Sequence, residues 1–222
     1  MKDIKILIKK CALAIFGLMI CSIGIYLSLI ADIGLIPWDT LNMGLVNITH
    51  ISYGKINIMV SLTILFMDIL LKERIGLGTI FDAILTGTFI DILYVVLPLN
   101  SPSNLFMGFI YFTVGMLIIC FGTSVYMRAG LSCGPRDSLL VGIGKRFPKI
   151  KIGYIDIGIK VILVIISYFI KGPIGIGTLY GTVIMGFMFN LVFGIQKFEP
   201  RSVIHEDIFE TLKYFGGKEN EN

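Results

Sequence analysis

Charge is scarce in this chain and histidine scarcer: Asp, Glu, Lys and Arg make up 15% of the 222 residues, and two residues are histidine. Soluble domains carry roughly a quarter charged residues, so a water-exposed globule is excluded. There is no HExxH, GxSxG or P-loop segment, and neither His50 nor His205 falls in an apolar run. The hydrolase and phosphoryl-transfer chemistries that need those spacings are thereby set aside. Cys11, Cys21, Cys120 and Cys133 lie in or beside apolar runs without CxxC spacing. They read as small apolar residues, giving neither a disulfide framework nor a metal site. No cofactor is implied and no catalytic residue is assigned. An intramembrane hydrolase built on paired aspartates is the one enzymatic form left open.

Apolar residues are abundant instead, at 55%. Runs long enough to cross a hydrocarbon core lie near 11–31, 56–71, 79–97, 105–127, 152–170 and 178–196. The expected class is therefore all-α, a polytopic helical membrane protein with six transmembrane helices. Lys2, Lys5, Lys9 and Lys10 precede the first run, which continues into further spans without a small-residue cleavage site, so it reads as an uncleaved helix rather than a signal peptide. Short cytoplasmic loops collect Lys and Arg. With the N-terminus inside, Lys72, Arg74, the six basic residues of 128–151, and Lys197, Arg201, Lys213 and Lys218 also fall inside, against Lys55 and Lys171 outside. Both termini are then cytoplasmic. The same topology explains the net charge of +4 without a nucleic-acid partner, since the basic residues are dispersed and lack interleaved aromatics.

The chain also repeats itself. At one constant offset Gly17, Gly24, Ala31, Pro37, Asp39 and Gly44 match Gly115, Gly122, Ala129, Pro135, Asp137 and Gly142. After one inserted residue Gly54-Lys55-Ile56-Asn57-Ile58 matches Gly153-Tyr154-Ile155-Asp156-Ile157. Ile75-Gly76-Leu77-Gly78-Thr79 then matches Ile174-Gly175-Ile176-Gly177-Thr178, Gly87 matches Gly186, and Asp91 matches Asn190. Three spans per copy make the second copy enter the membrane from the opposite side, an inverted pair. The expected organisation is a basic cytoplasmic N-terminus at 1–10, a first three-span repeat at 11–98, an outside linker at 99–104, a second repeat at 105–196 and a cytoplasmic tail at 197–222. In the tail, Ile204 to Tyr214 is expected to form one amphipathic helix, with a solvated His205 near its start.

After the first span of each copy comes a broken segment: Gly34-Leu35-Ile36-Pro37-Trp38-Asp39 in one, Gly134-Pro135-Arg136-Asp137 in the other. Glycine and proline stop the preceding helix, and proline with aspartate close behind starts another. Helices from Pro37 to about Asn47 and from Pro135 to about Phe147 cover roughly 16–20 Å, too short to cross, which suits re-entrant or interfacial half-helices. Irregular backbone at membrane depth survives where it lines a protein cavity. Trp38, Asp39, Arg136 and Asp137 are therefore the first candidates for a substrate site, with Gly34, Pro37, Gly134 and Pro135 as its structural motif. Asp91 and its counterpart Asn190 join them, because a polar group recurs at one depth of an apolar span. Asp82 lies on the side of that helix opposite Asp91. Asp156 with Lys160, and Asp68 with Lys72, have the i,i+4 spacing of structural ion pairs. The Ile-Gly-X-Gly-Thr motifs are read as close helix packing, with Thr79 and Thr178 capping helix starts.

These two segments, on a six-span chain of this length, resemble the YczE/YyaS/YitT family of bacterial membrane proteins, the YczE-like branch most closely, over essentially all of residues 10–200. Ile36 stands where such proteins often have glycine. The resemblance implies a multi-pass protein of the bacterial cytoplasmic membrane and implies no activity. Two functions follow from the architecture. One is a small transporter or permease with a small-molecule site between the two copies. The other is a non-enzymatic binding subunit or scaffold, acting as a homo-oligomer or with a partner membrane protein, for which the basic loop 144–151 is the candidate contact.

Overall fold

The computed structural model describes residues 4–199, 203 and 205–214. Lys2, Arg201 and Lys218 of the basic pattern, and Ile204 of the expected tail helix, lie outside the described residues. The order is α1 (Ile4–Ile30), α2 (Pro37–Thr49), α3 (Tyr53–Leu70), α4 (Leu77–Val96), α5 (Leu105–Arg128), α6 (Pro135–Arg146), α7 (Ile152–Phe169), α8 (Ile176–Ile195) and α9 (Ile208–Leu212), with no strand among the described residues. Six of these, α1, α3, α4, α5, α7 and α8, are long and apolar enough to cross a membrane.

The first helix begins earlier than its apolar run, because nothing before Gly17 breaks it. Its 27 residues rise ~40 Å, more than the ~30 Å hydrocarbon core, so the turns bearing Lys5, Lys9 and Lys10 extend past it. The tail helix is shorter than expected. Glu206 N–H donates to Gly130 O at 2.8 Å and Ile208 N–H to Ile75 O at 2.9 Å, so these amides bond to the body of the protein and not to a preceding helical turn. Helix formation starts only at Asp207, whose carboxylate accepts from Glu210 N–H at 2.8 Å.

The central seam is the antiparallel pair α1 and α5, and the repeated glycines make it. Gly17 meets Tyr126, Gly24 meets Gly115 and Ile119, and Gly122 meets Cys21. A Cβ on Gly24 would stand 2.5 Å from Gly115 O, and one on Gly115 2.5 Å from Ser28 Oγ. Close backbone approach of this kind is how helices associate where lipid supplies no hydrophobic drive. Outside the seam α4 packs on α1, where Tyr26 and Tyr94 meet edge-on at 4.9 Å and Tyr26 Oη donates to Leu97 O. Likewise α8 packs on α5, where Thr113 and Tyr180 share a hydrogen bond of 3.1 Å.

Each break after the seam helices uses the same two left-handed positions. Asp32 and Gly34 have φ of 54° and 97°; Gly130 and Ser132, their equivalents, have 66° and 85°. The residue between them is anchored by the other half of the chain: Gly177 N–H donates to Ile33 O, and Gly78 N–H to Leu131 O, both at 2.7 Å. This is the work of the Ile-Gly-X-Gly-Thr motifs. Their N-caps are Gly76 and Gly175, not the threonines. Thr79 and Thr178 sit one turn in, where their hydroxyls accept from Gly76 N–H at 3.4 Å and Gly175 N–H at 3.1 Å. The helices that follow the breaks, α2 with 13 residues and α6 with 12, span ~18–20 Å and stop short of a crossing.

Replacing Gly115 with valine is expected to lower the unfolding temperature in detergent, with overpacking costing about 1–3 kcal/mol. Gly158→Ala, where a Cβ meets nothing within 4 Å, is expected to raise it slightly, since alanine favours a helix over glycine by about 0.5–1 kcal/mol. Circular dichroism melts of the two variants check this.

Candidate functional site

Proline starts both short helices, which fixes φ at the first helical position and needs no N–H there. The backbone before them is extended in both cases, with φ of −63° at Ile36 and −62° at Gly134. An isoleucine in the glycine's place therefore costs nothing in backbone conformation. Gly134 is small for another reason: the Asp82 carboxylate lies where its Cβ would be.

The first turns of α2 and α6 meet, and Arg136 joins them. Its Nη1 is 3.5 Å from Asp39 Oδ1, its Nη2 donates to Asn57 Oδ1 at 2.8 Å, and its guanidinium stacks on Trp38 at 5.3 Å. The ion pair of Arg136 is thus made across the two halves of the chain, to Asp39. Asp39 is 1% exposed and also accepts from Tyr53 Oη at 2.8 Å. Asn42 Nδ2 donates to Asn57 Oδ1 at 2.9 Å, while Asn42 Oδ1 is buried without a partner. Burial pushes the Asp39 carboxyl up, and the Arg136 charge opposes the shift.

Arg136 also lines a cavity of about 120 Å³ with a polar wall that includes Asn57, Ser61, Asp82, Thr86 and Asp137 and an apolar wall that includes Leu18, Ile25 and Ile119. Asp82 Oδ1 accepts from Thr86 Oγ1 at 2.8 Å. Asp137 itself is exposed at this cavity; desolvation by the protein packed around it, and then the Asp82 charge, push its carboxyl up to about 6, with Arg136 opposing. Arg136 thus touches Trp38 and Asp39, and Asp137 lines the cavity beside it.

Asp91 and Asn190 are not part of this cluster. Asp91 fastens the start of α3, its Oδ2 accepting from Ser52 Oγ at 2.6 Å and its Oδ1 from Gly54 N–H at 2.7 Å. Asn190 is exposed on α8. Asp82, on the opposite side of α4 from Asp91, is the aspartate that faces the cavity beside Arg136. Asn42, Tyr53 and Asn57 escaped the sequence reading, although one signal was present, since Asn57 and Asp156 are the same polar position in the two copies.

Asp156 and Lys160 pair at 2.6 Å as expected. Asp68 and Lys72 do not. Lys72 lies past the end of α3 in a left-handed conformation with φ 56°, and both Asp68 oxygens are buried without a hydrogen bond. His205, expected in solvent, is half-buried with its Nε2 3.6 Å from Cys133 Sγ. Burial pushes the Cys133 thiol up to about 12 and the His205 ring down, so this pair is a neutral contact rather than an activated thiolate.

Comparison with known proteins gives a family and no chemistry. The model of a family of unknown function, DUF6198, matches residues 8–193. An uncharacterized protein of Haemophilus influenzae is 29% identical over 77% of both chains. The uncharacterized membrane protein YczE of Bacillus subtilis is 28% identical over 72% of this chain and 74% of its own. The uncharacterized protein YyaS of the same organism is 32% identical over 80% and 88%. No solved structure matches.

A carboxyl raised in the folded state binds its proton there and not in the unfolded chain, so stability falls as pH rises from its ordinary value of 3.8 through about 6. Asp137→Asn is therefore expected to melt higher than the parent at neutral pH, with the gap closing as pH falls toward about 4. Parallel melts across that range in detergent check the sign.

Proposed function

We propose, for a chain that belongs to the DUF6198 family of unknown function and inherits no activity from it, that it is a small transporter or permease whose site lies between two inverted three-span copies. The chain is an integral membrane protein with six candidate membrane-spanning helices; what it moves is the further step. The reading is carried by Arg136, which ties the first turn of one half-helix to Asp39 at the first turn of the other. Helix N-termini carry partial positive charge, and transporters of this architecture gather such ends around a solute near the midplane.

The antiparallel seam of equivalent helices and the reciprocal anchors at Ile33 and Leu131 support the inverted arrangement. The concentration of basic residues in 128–151 supports cytoplasmic termini in a bacterial cytoplasmic membrane. Trp38, Asp39, Arg136 and Asp137 are the proposed ligands, with Asn57 and Asp82 added from the geometry. Three aspartates against one guanidinium leave an acidic surplus, so a positively charged group or a proton on Asp137 balances the site. No residue is given a catalytic role and no cofactor is required. One observation favours the alternative of a binding subunit or scaffold: residues 145–151 are exposed throughout and carry four basic side chains.

In a cysteine-free background, single cysteines at 38 and 137 in sealed vesicles are expected to react with impermeant thiol reagents from opposite faces. Reconstituted protein is expected to take up solute, and Arg136→Lys to lose most of that uptake, because an ammonium cannot hold Asp39, Asn57 and Trp38 together. Labelling of both positions from one face contradicts the inverted site, and uptake only with a copurifying partner favours the alternative.

A further inference from the structure

The helix contacts of the first half recur in the second, with one exception. Gly44 on α2 packs on Ile170 and Gly172 past the end of α7, and Gly142 on α6 packs on the equivalent Leu71 and Glu73 past the end of α3. The packing of α4 on α1 recurs as α8 on α5. The packing of α3 on α4 does not recur, and α7 and α8 hardly touch.

The closed pair shows what is missing from the open one. On α3 and α4, a Cβ at Gly54 would overlap Gly87 O and one at Gly87 would overlap Gly54 O, so the two backbones are in contact. Asp91 latches the pair through Ser52 Oγ and Gly54 N–H. The second half keeps both glycines, as Gly153 and Gly186, and places Asn190 at the latch position. Nothing lies within 4 Å of a Cβ at either glycine. Between α7 and α8 there is an apolar crevice of about 330 Å³, walled by Ile157, Val161, Ile165 and Leu179 and reaching Lys160 and Pro37; α3 and α4 also carry a groove, of about 600 Å³ beside Lys55, Ile58 and Asp91, but there it lies next to a backbone contact that the second half lacks.

We infer that α7 and α8 form a lateral gate, open in this structure, that closes by bringing Gly153 onto Gly186 while Gly54 and Gly87 part. A helical glycine costs roughly 0.5–1 kcal/mol against alanine, and a matched pair that touches nothing in one state is explained by a second state in which it touches. The closed form is already built in the same chain, by α3 and α4. The choice of resting state follows from the latches, since a carboxylate accepts hydrogen bonds more strongly than a neutral amide. The exchange is coupled because α7 rides on α2 and α3 rides on α6, and Arg136 of α6 is tied to Asp39 of α2 and Asn57 of α3. The crevice leads to Pro37, next to Trp38 and Asp39, so the gate faces the proposed site.

Cross-linking tests this. With Cys11, Cys21, Cys120 and Cys133 replaced, Gly153→Cys and Gly186→Cys are introduced together and the protein is oxidised in liposomes. A disulfide needs Cα atoms within about 7 Å, a separation that closure supplies. The bond is expected to form, and at least several-fold faster when Asp91→Ala releases the opposite latch. Asp91→Asn, which copies the second half's own residue, is expected to give a smaller increase in the same direction and serves if the alanine variant does not fold. Absence of the disulfide overturns the gate, as does a rate indifferent to both Asp91 variants. The inference rests on the transporter reading for its use but not for its test. Cross-linking needs no solute, so a responsive cross-link in a protein that moves nothing would fault the transporter reading alone.

Discussion

Two carbonyl groups hold the arrangement together. Where the chain breaks after α1 and α5, Ile33 O and Leu131 O have no helical partner, and in hydrocarbon an unsatisfied backbone group costs several kcal/mol. Each is satisfied by the first turn of the last span of the other half, through Gly177 and Gly78. Only glycine allows that approach, since a Cβ at Gly78 would come within 2.7 Å of Leu131 O and one at Gly177 within 2.7 Å of Gly34 O. The two halves are thereby interlocked at their weakest points. The short helices follow directly from these anchored turns, and the Arg136 side chain bridges from the first turn of α6 to Asp39 in the first turn of α2.

Burying Asp39 beside a half-buried arginine is not an economical way to gain stability. Charge pairs taken out of water recover their desolvation only when geometry and extra hydrogen bonds are good, and losing one partner leaves the other stranded at a cost of about 3–5 kcal/mol. Here Tyr53, Asn42, Asn57 and Trp38 supply those extra contacts. The cluster is polar where a helical bundle of this composition could have been apolar. That contrast, together with the adjoining acidic cavity, is the physical ground for reading it as a site.

The two halves are alike in sequence and in most helix contacts, and they differ in the packing of α3 on α4, which has no counterpart between α7 and α8. Identical packing in both halves would leave a sealed bundle. Gly54 and Gly87 are in contact while Gly153 and Gly186 are apart, so one helix pair is joined at its backbone and its counterpart is not. The substitution of Asn190 for Asp91 is a small chemical change at the position that holds the closed pair shut.

Much of this was legible in the chain itself. Low charge and long apolar runs settle the six helices, because a bilayer admits little else; the proline-aspartate segments settle two short helices, because proline fixes the first turn. The grouping of Trp38, Asp39, Arg136 and Asp137 follows from the repeat. Contacts between the halves were not legible. Arg136 chose Asp39 over its neighbour Asp137, and Asn42 and Tyr53 carry no mark in an apolar segment until folding places them beside a buried carboxylate. Asp91 shares its depth with Asn190 in the repeat, yet its carboxylate accepts from Ser52 and Gly54 at the start of α3, since the position of a residue along a helix can be read in sequence but the direction its side chain faces depends on what packs there. The sequence by itself determined which segments cross and where they break, through hydropathy and local backbone chemistry. Only the tertiary structure decided which polar groups meet and which glycine pair is closed, because those depend on distances between residues far apart in the chain.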